Sequence, residues 1–309
     1  IAFTNAPDAN GLVTVRTNLL AAAKVWQHVE LFFYGTSFAR DMNSYPADLD
    51  RINTNINSTV AINFERTLLD PTQGLPTLDY LVNGLDTTDE AIIAKYQDTK
   101  YSDYLKALSL RMVNLTANEI TNFNANKDTN INSVNNTISS YFSIQMNDFV
   151  EYTEKSFREK KIATPSGTRN RQENISVNPS PTFVESLYSP ENSKALYLEA
   201  YTAIKNFYYG RSYSTNTNTI GLQEYLQFLG ATVMVDGTDI SLDDYIQTLF
   251  DNIDAANNNI GNNFFEQTQD YNANFDAVFD TIQEFVIAIK GNAINAFNLT
   301  IDFVDSDGD

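Results

Sequence analysis

Residues 12–33 read LVTVRTNLLAAAKVWQHVELFF. Leu12, Val15, Leu19, Ala22, Trp26, Val29 and Phe33 recur at steps of three and four, which places them on one face of a helix. The same spacing returns at Tyr101, Leu105, Leu108, Met112 and Leu115, and again at Val278, Ile282, Phe285 and Ile289. The prolines agree with it. All fall at Pro7, Pro46, Pro71, Pro76, Pro165, Pro179, Pro181 and Pro190, so 77–164 and 191–309 are free of the residue that helix interiors exclude. Strand-like alternation is confined to the short run Thr232–Val235. The predicted fold is all-α.

Punctuation divides these helices into two groups. Ala163–Pro181 carries three prolines and Gly167, the composition of a crossing between domains. Either side of it, an order of features repeats. Leu31-Phe32-Phe33-Tyr34-Gly35 is followed by Gly74-Leu75 and Asp79-Tyr80-Leu81; Asn206-Phe207-Tyr208-Tyr209-Gly210 is followed by Gly221-Leu222 and Glu224-Tyr225-Leu226. Two related helical bundles account for the repeat: 1–164, then a crossing over 165–189, then 190–309. Ser189-Pro190 reads as a helix cap with proline in the first turn, and Ser241-Leu242-Asp243-Asp244 as a capping box. The Asn-rich stretches 122–136 and 256–274 read as turns and exposed helix ends.

Charge and composition exclude several kinds of function. The 309 residues hold 20 Lys+Arg against 39 Asp+Glu, a net charge of −19 that repels nucleic-acid backbones and anionic membrane surfaces. Without Cys there is no disulfide, thiolate metal site or Cys nucleophile, and one His cannot assemble a His-rich zinc site. No run approaches the ~18 apolar residues of a membrane span. Neither a nucleophile elbow, a phosphate loop nor a dinucleotide fingerprint occurs, and a Ser or Thr nucleophile would have only His28 as base. His28 lies one residue off the apolar stripe, a flank or surface position. The 17 Tyr add hard oxygen atoms suited to ferric iron, though most lie on helical stripes where packing is their ordinary task. The final Asp305-Ser306-Asp307-Gly308-Asp309 alternates acids like half a calcium loop but lacks its closing Glu.

The segment GLPTLDYLVNG, residues 74–84, resembles the signature of the imelysin-like family of bacterial cell-envelope proteins, some described as iron-regulated and some as metallopeptidases. The family motif is G-x-H-x-x-E on a helix. Here Gly74 matches, Pro76 stands in place of the His, and Asp79 replaces the Glu. The likeness extends through Trp26, Tyr34-Gly35, Tyr45-Pro46-Ala47-Asp48, Pro165-Ser166-Gly167 and Val184-Glu185-Ser186-Leu187-Tyr188-Ser189 to the acidic end. Read without the family, Gly74-Leu75-Pro76 is a helix start and Asp79 a first-turn acid favoured by the helix dipole.

The resemblance implies an exported protein of the periplasm or outer membrane, lipid-anchored through a residue upstream of Ile1, and monomeric. It implies a site at the domain interface, with Asp79 and Glu185 as metal ligands and Trp26, Tyr34, Pro76, Glu185 and Ser186 around the ligand. Proline offers no ligand atom, so a zinc peptidase is not expected and the catalytic set is empty. The expected function is binding, accessory to iron acquisition, with a metal ion or iron-containing ligand as cargo and an outer-membrane or periplasmic protein as partner. The alternatives are an imelysin-type metallopeptidase and a docking scaffold without ligand.

Overall fold

The computed structural model describes residues 2–134, 137–168 and 178–302. The acidic end 305–309 and the middle of the crossing, 169–177, lie outside the described residues. The chain is helical, as its spacing predicts. Its principal helices are α1 (Ala9–Val29), α2 (Ser37–Asn43), α3 (Leu49–Ile56), α4 (Gly74–Asp79), α5 (Asp89–Lys95), α6 (Thr99–Ile131), α7 (Tyr141–Glu151), α8 (Ser193–Tyr208), α9 (Leu222–Leu229), α10 (Leu242–Asn257) and α11 (Ala273–Ile287). Among the described residues the strands are β1 (Thr232–Val235) and β2 (Thr238–Ser241), paired antiparallel with Val233 opposite Ile240.

Helix starts follow side-chain caps. Asp8 accepts from Gly11 N at 2.6 Å to open α1, Asp98 accepts from Lys100 N to open α6, and Ser241 accepts from Asp244 N to open α10. Of the two readings of the Asn-rich stretch, the exposed helix end holds over 122–131, the distal third of α6. No Gly or Pro interrupts them, and Asn lowers helix propensity too little to end a helix already propagating. Three helices continue into wider π-type turns: α4 through Tyr80–Gly84, α7 through Tyr152–Ala163, and α11 through Ala288–Ala293.

Three apolar cores organise the helices. Leu12, Ile52, Leu81, Ile92, Leu105 and Leu108 form one from the N-terminal half. A larger one joins Tyr197, Tyr201, Phe250 and Phe285 with Phe149 and Phe157, so α7 and its continuation pack with the C-terminal half although they precede the crossing. Phe157 stacks on Tyr197 with ring centres 4.9 Å apart. The third is a seam in which Trp26 and Ala23 of α1 meet Leu75 of α4 and Leu196 of α8. The candidate site opens beside this seam. No described helix is long and apolar enough to cross a membrane.

Candidate functional site: a cleft between the two halves

Gly74 anchors the motif helix. Its φ of +75° is a left-handed conformation, and a Cβ there would lie 2.5 Å from Met42 O and 2.7 Å from Asp41 O. Only glycine lets α4 begin so close to the end of α2. Asp79, five residues on, is the last residue of α4 rather than a first-turn acid, so the dipole does not account for it.

Asn83 one turn on and the distant Tyr188-Ser189 segment hold Asp79 instead. Its Oδ1 accepts from Ser189 Oγ at 2.7 Å and from Asn83 Nδ2 at 2.9 Å, while Oδ2 accepts the Tyr188 backbone N–H at 2.9 Å. Burial pushes its pKa up; the hydrogen bonds from Ser189, Tyr188 and Asn83 offset only part of that. The Tyr188 ring lies against Gly84, where any Cβ would collide with it. Ser189 therefore does not cap the helix that follows. Its hydroxyl is committed to Asp79 and to Ser186 Oγ at 2.6 Å, and the short turn Pro190–Asn192 has no side-chain cap.

Glu185 is buried in a second set of contacts. Oε1 accepts from Gln27 Nε2 at 2.9 Å and Asn43 Nδ2 at 2.8 Å; Oε2 pairs with Lys161 Nζ at 2.5 Å. Lys161 also donates to Gln27 Oε1 at 2.8 Å. Burial acts to raise the Glu185 carboxyl, but the charge and hydrogen bond of Lys161, with those from Asn43 and Gln27, hold it below the usual range.

Between these carboxylates lies a cleft of about 270 Å³ whose wall includes Thr17, Leu20, Pro76, Asp79, Glu185, Ser186 and Leu196. Ser186 has φ +62°, an uncommon conformation for a residue with a side chain. Four of the residues singled out from sequence, Pro76, Asp79, Glu185 and Ser186, thus share one cavity. The other two do not line it. Trp26 is buried in the seam, edge-on to Phe38 with centres 5.5 Å apart, because its stripe faces α2. Tyr34 follows the turn that ends α1 and lines a separate recess with Glu30 and Lys160, where burial and four nearby glutamates raise its pKa.

His28 corrects its expected surface position. It is buried, its Nε2 lies 2.9 Å from Glu199 Oε2, and Tyr213 packs on its ring. Gln27, Asn43 and Lys161 escaped the sequence reading. The available signals were polar Gln27-His28 beside an apolar stripe and the basic run Arg158-Glu159-Lys160-Lys161 within a helical stretch. Among the described residues, no three His, Asp or Glu are grouped to hold a metal ion.

The chain is thus a helical protein with a glycine-started helix in the wall of a cleft. The Imelysin family model matches residues 1–284, and the chain belongs to that family. Two solved structures share the fold. One, described as an iron-regulated protein A precursor from Parabacteroides distasonis, has 17% identity and a TM-score of 0.70 over 96% of this chain and 86% of that one. The other, an imelysin-like protein from Psychrobacter arcticum, has 16% identity and a TM-score of 0.59 over 97% and 86%. No curated protein matches the chain.

Proposed function

We propose that this imelysin-family protein is a binding component accessory to iron acquisition, without peptidase activity, and that its cargo is an iron-containing ligand held in the cleft between the halves. The observation that carries the proposal is the cleft, which opens at the family motif with Pro76 in the position of the motif His. Proline cannot hold a metal that activates water, so the hydrolytic use of the motif lacks a first ligand. Asp79 and Glu185 remain in the wall. Both oxygens of each already accept protein hydrogen bonds, and a bare ion would have to displace Lys161 or Ser189 to reach them. A complex that brings its own iron coordination shell needs only hydrogen bonds and shape from the wall. The description of the Parabacteroides distasonis protein as iron-regulated supports iron as the element concerned.

Export to the periplasm or outer membrane, a lipid anchor upstream of Ile1 and a protein partner there belong to the same proposal. The test is protein purified without chelators and offered ferric citrate, ferrous iron or calcium, with metal content and thermal stability measured. A rise in Tm with ferric citrate is expected, because a ligand that binds only the folded state stabilises it by mass action. Zinc-dependent cleavage of unfolded protein, or indifference to every form of iron, contradicts the proposal.

A further inference from the structure

The far part of α6 stands off the body of the molecule. Tyr104, Leu105 and Leu108 are buried, and Met112 and Leu115 pack on the seam, but beyond Leu115 no residue of α6 is buried. Between this arm, the end of α1, the start of α2 and the first turns of α7 lies a pocket of about 610 Å³. That is an ordinary size for a small-molecule site. The pocket shares no lining residue with the cleft at the motif helix.

Its walls are apolar and largely aromatic. Val29, Phe32, Phe33, Phe38, Ile120 and Phe123 line it. Phe33 and Phe38 meet edge-on with ring centres 5.2 Å apart, which fixes one wall. Phe32, Ile120 and Phe123 are 43%, 57% and 51% exposed, so apolar surface is left uncovered around a single pocket. A flat ring system entering between arm and body would cover it.

The charge in the wall selects as well. Among the described residues it carries one carboxylate, Glu119, and no Lys or Arg. Glu119 makes no hydrogen bond or ion pair with any described residue. Asn122, Asn126 and Gln145 add only neutral amides, and the Nε2 of His28 is engaged by Glu199 at 2.9 Å. A carboxylate or phosphate would face Glu119 in a protein of net charge −19, with no cation in the wall to receive it. A cation gains an ion pair from Glu119 and attraction from the negative faces of the phenylalanine rings.

We propose that this pocket binds an aromatic amine as its cation, with the ring system among Phe32, Phe33, Phe38 and Phe123 and the ammonium on Glu119. The rings select a flat apolar body, and Glu119 selects the sign of its charge. This site is independent of the iron-ligand proposal for the cleft.

The test is calorimetric titration of the full chain with tryptamine, its neutral analogue tryptophol and its anionic analogue indole-3-propionate. Saturable binding of tryptamine, at least tenfold tighter than either analogue, is expected. Glu119→Gln and Phe123→Ala should each weaken it at least tenfold at unchanged Tm, since neither side chain is buried. Asp103→Asn removes an exposed charge elsewhere on α6 and should leave the affinity as it is, which separates a site from general attraction to an acidic protein. Absence of saturable tryptamine binding, equal affinity for indole-3-propionate, indifference to Phe123→Ala, or equal losses in Glu119→Gln and Asp103→Asn overturns the proposal.

Discussion

The Ser189 hydroxyl donates to Asp79 Oδ1 at 2.7 Å across 110 residues of sequence, so the acid of the family motif joins the N-terminal half to the segment that opens the C-terminal one. The same carboxylate takes the Tyr188 N–H. Asp79 is a brace between halves as well as a wall of the cleft.

Asp79→Ala should therefore cost roughly 2–3 kcal/mol, since it strands a buried backbone donor and a hydroxyl together. A first-turn acid would cost only about 0.3–1 kcal/mol. Urea denaturation of the single variants and of Asp79→Ala/Ser189→Ala should give a coupling energy above about 0.5 kcal/mol; additive effects would detach the two residues.

Lys161→Met should cost about 3–5 kcal/mol, because it leaves Glu185 charged and buried beside only amide donors. Glu185 also fixes a pH dependence. Its pKa is lower folded than unfolded, so its contribution is complete above the unfolded value of 4.5 and is lost as pH falls through the folded one. Glu185→Gln should flatten the acid limb of a Tm-against-pH curve; an unchanged limb would contradict the pairing.

Asp148 has the opposite sign. Burial, then Asp302 and Glu151, raise its pKa from 3.8 to about 6. The folded state holds that proton more tightly, so the associated stability is full below pH 3.8 and lost as pH rises through 6. Asp148→Asn should be more stable than the wild type by roughly 1 kcal/mol at pH 8, after discounting for solvent screening of a half-buried group. The difference should close by pH 4, which thermal melts at the two pH values can check.

Neither the wild type nor Pro76→His should hydrolyse unfolded casein with zinc present. The first lacks the ligand, and in the second Asp79 remains tied to Ser189, Asn83 and Tyr188. Zinc-dependent cleavage by the wild type would return the protein to the peptidases.

The legible part of the fold was the part with local causes. The α1 stripe follows from a period of 3.6, and the start of α10 from Ser241 beside it. The motif segment placed Pro76 and Asp79 in one wall, and Glu185 and Ser186 proved to share it. What sequence did not disclose depends on distance across the chain. Gln27 and Lys161 reach Glu185 over 158 and 24 residues, and no spacing rule links such positions. Ser189 had a local use as a cap and a distant one as donor to a buried carboxylate, and the unsatisfied carboxylate was the costlier alternative. Trp26 has the aromatic character of a pocket residue, but packing on Phe38 claimed it. The side that Tyr141–Ala163 joins was likewise decided by which apolar faces were left to meet, as with Phe157 and Tyr197.

The proposal of a binding cleft is tested most directly by titrating ferric citrate into wild-type protein and Thr17→Trp. Thr17 is exposed on α1, bonds only to Val13 O within its own helix, and lines the cleft, so tryptophan there fills the cavity without disturbing either carboxylate. Saturable binding by the wild type, weakened at least tenfold in Thr17→Trp at unchanged Tm, is the predicted result. Equal affinity in the two proteins, or no binding by the wild type, would contradict it.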